Sequence, residues 1–88
     1  MKLNENFILK TIAGSPVVVP VGDAVKAING MITLNGPAEV IWQGLEKGEN
    51  CAEILSTLKA KYDAPEELLK SDLETFLGKL KRLGILEE

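Results

Sequence analysis

The stretch 63–84, DAPEELLKSDLETFLGKLKRLG, constrains what this chain can fold into more than any other. Leu69, Leu73, Phe76, Leu80 and Leu83 recur at spacings of 4, 3, 4 and 3 residues. That rhythm lays one apolar stripe along a helix of about five turns. Leu68 and Leu77 widen the stripe toward the face of a helix packed into a globular core. Pro65 suits the first helical position. Glu66, Glu67 and Asp72 lie toward the positive end of the helix dipole, and Lys79, Lys81 and Arg82 near the negative end. Gly84 can take the left-handed conformation that closes a helix, so that Ile85-Leu86 folds back onto the last turn. Such a stripe has to be covered, and the chain before it is patterned to do so.

Residues 6–34 are rich in Val and Ile and carry turn signals. Phe7-Ile8-Leu9-Lys10-Thr11-Ile12 reads as a strand, Gly14-Ser15 as a tight turn and Val17-Val18-Val19 as a second strand. The bounding Pro16 and Pro20 lack ladder donors and predict one imperfectly paired side. Val25-Lys26-Ala27-Ile28 and Met31-Ile32-Thr33-Leu34 flank Asn29-Gly30, a strong hairpin signal. The result is a meander of three strands, with 25–28 as a short extension.

From Asn35 the apolar period changes. Asn35-Gly36-Pro37 starts a helix with Pro37 at its first position, Ala38, Ile41, Trp42 and Leu45 share a face, and Gly48 ends it. Asn50 with Glu53 resembles a capping pair opening a second helix, in which Ile54, Leu55, Leu58 and Tyr62 are apolar. The three helices are expected over about 36–47, 50–62 and 65–83. The fold class is α+β: a three-stranded antiparallel sheet followed by three helices, in a single domain over 1–88.

Composition narrows the function classes. Ten basic residues against thirteen acidic ones give a net charge of −3, the reverse of the balance that phosphate binding favours. There is no histidine and only one cysteine, Cys51, so disulfide scaffolds, Cys/His zinc sites and His-based catalysis are excluded. No nucleophile–base pair, metal set or glycine-rich phosphate loop can be assembled, so catalytic residues, metal and cofactor are all expected to be none. The N-terminal MKLNENFILK does not read as a secretory signal, and no segment approaches the ~20 apolar residues of a membrane span. A cytoplasmic protein with a free, buried thiol is the simplest expectation. Trp42 is expected in the core, where its indole N–H needs a partner.

Several strings, in order, carry a resemblance. They are Val19-Pro20-Val21-Gly22, Asn29-Gly30-Met31-Ile32-Thr33-Leu34-Asn35, Ile41-Trp42 with Leu45, Glu53-Ile54, Lys61-Tyr62-Asp63, and Asp72-Leu73 through Phe76-Leu77, Leu80 and Gly84-Ile85-Leu86. The ordered set resembles the PqqD-like family, the RiPP recognition elements named after coenzyme PQQ synthesis protein D, over nearly the whole chain. Ala38 departs from it, standing where glycine is expected after the first-helix cap. The resemblance implies a winged helix-turn-helix-like fold that binds the leader of a ribosomally synthesised precursor peptide. It also implies presentation of that precursor to a modifying enzyme, in many such systems a radical SAM protein.

In such domains the leader adds as a strand beside the third strand and packs against the third helix. Carried onto this chain, the edge is Met31, Ile32, Thr33 and Leu34. The flank of the long helix supplies Leu69, Lys70, Leu73, Leu77 and Lys81, with Leu73 and Leu77 serving core and groove together. A sheet edge suits this role because its unpaired N–H and C=O groups accept a strand while side-chain pockets discriminate. The alternative is a winged-helix DNA-binding transcriptional regulator using the second and third helices. A recognition helix needs Lys, Arg, Asn or Gln in its first half, whereas here PEELLKSDLE holds four acids and one lysine.

Overall fold

The computed structural model describes residues 1–23, 25 and 31–87. Among them run β1 (Lys2–Leu3), β2 (Phe7–Ile12), β3 (Ser15–Pro20), β4 (Ile32–Thr33), α1 (Gly36–Glu46), α2 (Cys51–Lys61), α3 (Glu66–Arg82) and β5 (Leu86–Glu87). β2, β3 and β4 form an antiparallel sheet in that order, and β1 pairs with β5 in a separate two-stranded ribbon. The expected sheet followed by three helices is therefore present. The β1–β5 ribbon has no counterpart in the sequence reading. The strand extension 25–28 and the Asn29-Gly30 turn lie outside the described residues, Val25 apart.

The β2–β3 turn is Ala13-Gly14, one residue earlier than the sequence suggested, because Ile12 pairs with Ser15. Both turn residues have positive φ, 52° and 82°, the mirror-image turn that matches the strands' right-handed twist. Pro16 and Pro20 occupy the central strand. Leu34 donates its N–H to the Pro16 carbonyl at 3.0 Å, so even-numbered residues of β3 aim their backbone groups at β4. Both proline nitrogens therefore sit on the β4 side and leave the ladder to β2 whole. Pro16 has no hydrogen to return to Leu34, which helps stop β4 after two paired residues.

The helix ends follow local chemistry. The Asn35 side chain accepts from Ala38 N at 2.8 Å, and Asn50 with Glu53 makes the reciprocal capping box. Gly48 (φ 78°) and Gly84 (φ 74°) close α1 and α3 in the same way. Gly48 N donates to Leu45 O and Glu49 N to Gly44 O, just as Gly84 N donates to Lys81 O and Ile85 N to Leu80 O. Ile85 is thereby folded back and fully buried. α3 begins one residue later than expected, with Pro65 as a cap that makes no side-chain bond.

The core is built from Phe7 and Val18 of the sheet, Ile41, Trp42 and Leu45 of α1, Ile54 and Leu58 of α2, and one face of α3. That face is Leu69, Leu73, Leu77 and Leu80. Leu77 thus belongs to the central stripe, Phe76 is only half-buried, and Leu68 and Leu83 are exposed. The 4–4–3 spacing wins because α2, Ile85 and Leu86 cover one side of α3 and nothing described covers Leu68. Trp42 is buried as expected, but its Nε1 has no hydrogen-bond partner among the described residues. Cys51, expected to be buried, is exposed at the start of α2, since the cap turns that position outward. An ion pair between helices joins Lys59 of α2 to Glu66 of α3 at 3.0 Å; both are more than half exposed, so its contribution is small.

Candidate functional site

β4 is the last strand of its sheet, and the hydrogen bond from Leu34 to Pro16 fixes which way its backbone faces. Ile32 and Leu34 aim their N–H and C=O groups at β3. Thr33, opposite Val17, therefore turns both backbone groups to the outer edge, which no described strand covers. Met31 has the same parity and is 61% exposed. The side chains alternate as well. Ile32 packs against the core, Leu34 is buried within it, and Met31 and Thr33 are exposed.

Two residues beyond Thr33 the chain reaches Asn35 and enters α1. Here a cleft of about 260 Å³ opens between α1 and α3. Pro37, Ala38 and Ile41 form its α1 side, and Asp72, Thr75, Phe76 and Lys79 its α3 side. The latter four stand at i, i+3, i+4 and i+7, so they make one stripe. Phe76 is half-buried and gives the cleft an apolar floor with Ala38 and Ile41, while Asp72, Thr75 and Lys79 are exposed. The site thus offers a strand edge leading into a trough with an apolar floor and polar rims.

The structure separates the residues that the sequence grouped. Met31, Ile32, Thr33 and Leu34 lie together at the edge. Leu69, Leu73 and Leu77 are 3%, 2% and 6% exposed and face the core. Lys70 lies on another side of α3, where it lines a separate hollow of about 290 Å³ with Leu73, Glu74 and, from α2, Cys51, Ala52 and Leu55. Lys81 is exposed on the last turn and does not line the cleft beside β4. Of the cleft residues, the sequence pattern places Phe76 in the apolar stripe and Asp72 and Lys79 toward the ends of the helix dipole, and it singles out no role for Thr75. A second stripe of mixed polarity, offset from the leucines, was the signal available for them.

The exposed residues in the first half of α3 include Glu66, Glu67, Asp72 and Glu74 against Lys70 alone. Among the described residues, no basic recognition surface supports the DNA-binding alternative.

A family model described as Coenzyme PQQ synthesis protein D (PqqD) matches residues 17–86. The chain belongs to the PqqD family. No curated protein matches it in sequence. Among solved structures, TbiB1 in complex with the TbiA(beta) leader peptide shares the fold, with a TM-score of 0.80 at 24% identity. The alignment covers 99% of this chain and 95% of TbiB1. The β1–β5 ribbon falls partly outside the matched family segment, which begins within β3. No helix among the described residues is long and apolar enough to cross a membrane.

Proposed function

We propose that this PqqD-family protein is a non-catalytic recognition module that captures the leader of a ribosomally synthesised precursor peptide and presents it to a modifying enzyme. The observation that carries the reading is the uncovered outer edge of β4, with Thr33 turned outward two residues before Asn35, which lines the cleft at α3. An extended leader completes the ladder at Thr33 and Met31 and lays apolar side chains into the trough over Phe76. Leu69, Leu73 and Leu77 hold α3 in place from behind, so they act on the wall through packing. Lys70 and Lys81 stand on its outer flanks. Membership of the PqqD family supports this reading, as does the leader peptide seen with TbiB1. A chain without histidine and with one cysteine is poorly equipped for acid–base or nucleophilic chemistry, which favours a carrier over an enzyme. The recipient in this proposal is a radical SAM enzyme, and the compartment is the cytoplasm, where precursor peptides are made.

The test is an amide chemical-shift titration with synthetic peptides covering any short reading frame adjacent to the gene. Shifts are expected at 31–34 and at Asp72, Thr75, Phe76 and Lys79. Ordering the leader costs about 2–5 kcal/mol, so moderate affinity with fast exchange is the expected regime. Perturbations confined to α2 and the C-terminal half of α1, with β4 and α3 unchanged, would sink the assignment.

A further inference from the structure

We infer that the cleft beside β4 selects its peptide by charge order as well as by shape: the preferred segment carries an apolar side chain bracketed by a basic residue on one side and an acidic residue on the other. This rests on the leader-binding reading above and names the sequence class that site takes. Asp72 and Lys79 are seven residues apart on the α3 stripe that lines the cleft, with Phe76 between them. Seven residues of helix span about 10 Å. An extended peptide advances about 3.3 Å per residue, so side chains on one face recur about every 7 Å. An apolar side chain seated over Phe76 therefore has its same-face neighbours, two residues before and two after, about 7 Å to either side. Both lie within side-chain reach of the carboxylate and the ammonium.

Two features make these charges available. Neither Asp72 nor Lys79 makes an ion pair or side-chain hydrogen bond among the described residues, and both are exposed. At the rim of an apolar trough, a matched charge steers encounter and fixes register, while a reversed one is rejected. The opposite signs at the two ends give the trough a polarity. A peptide whose charges run in the reverse order meets repulsion at both ends, so the same residues that favour one sequence direction disfavour the other.

The experiment pans a display library of short random peptides against the wild-type protein and against the double swap Asp72→Lys/Lys79→Asp. Both positions are exposed, so the swap keeps the fold, which circular dichroism checks. The expected result is that both proteins enrich peptides with an apolar residue bracketed by opposite charges, and that the charge order is inverted between the two pools. Fluorescein-labelled peptides from the wild-type pool then lose about two- to fivefold in affinity on Asp72→Lys alone, regain it when their own basic residue is made acidic, and lose the discrimination at high salt. If both proteins enrich the same peptides without charge bias, and Phe76→Asp abolishes capture, the charge inference is overturned while leader binding at this cleft stands. If the wild-type protein enriches nothing and no peptide from the adjacent short reading frames shifts an amide at β4 or α3, the inference and the leader reading fall together.

Discussion

Two stripes of α3 lie side by side on one helix and do different work. Leu69, Leu73, Leu77 and Leu80 are uniformly apolar and nearly inaccessible. Asp72, Thr75, Phe76 and Lys79 are mixed in character, with one half-buried ring among three exposed polar groups. The first stripe meets a packed interior, where every methylene counts and any charge is expelled. The second meets a trough open to solvent, where polar groups cost little and can discriminate. The contrast teaches that apolar periodicity on a helix marks what the fold uses, while a ligand-facing stripe on the same helix carries a weaker and less regular signature.

The comparison can be broken most forcefully from the core side. Leu80→Ala removes a side chain with no exposed surface and should cost about 2–5 kcal/mol in urea unfolding. A loss below ~1 kcal/mol would mean that the stripe is not the interior it is taken to be. Leu77→Asp should likewise act first on stability, so any loss of peptide binding it causes has to be read after the folded fraction is known.

At the edge, binding and stability should separate. Thr33→Pro removes an outward N–H that no strand of the sheet uses, so the β3–β4 bonds survive while affinity for the precursor falls about tenfold or more. Thr33→Ala should change affinity by less than about twofold, since the backbone makes the bond. Isothermal titration of both variants decides this; equal losses would point to the hydroxyl instead.

Smaller effects sharpen the picture of what is local. Ala13 holds a φ of 52° in the β2–β3 turn, a conformation that costs an alanine about 1 kcal/mol, so Ala13→Asn, which makes Asn-Gly, should raise stability by about 0.5–1 kcal/mol. The smallest change is expected at Leu68, which is 53% exposed despite lying within the apolar run. Leu68→Ser should stay within about 0.5 kcal/mol of wild type. A larger cost there would show that Leu68 is covered in solution.

Much of this molecule was legible from its residues because the signals are local. The Asn35 and Asn50 caps, the Gly48 and Gly84 closures and the helical period of α3 each depend on side chains within one or two turns, so the chain announces them directly. Order along the chain likewise gave three strands and three helices, and the ordered strings gave the family. Tertiary structure alone decided the rest. Which leucines of α3 turn inward depends on the angle at which α2, Ile85 and Leu86 lie against it, and a period of 3.6 leaves Leu68, Phe76, Leu77 and Leu83 all eligible. The pairing of β1 with β5 joins residues more than eighty positions apart, beyond any short-range pattern. The outward turn of Thr33 follows from a register set by the Leu34–Pro16 bond, and the cleft exists only where the start of α1 meets the middle of α3. A one-residue shift in that register would have turned Thr33 inward and the whole edge over, which is why the sequence could name the strand but not the direction it faces.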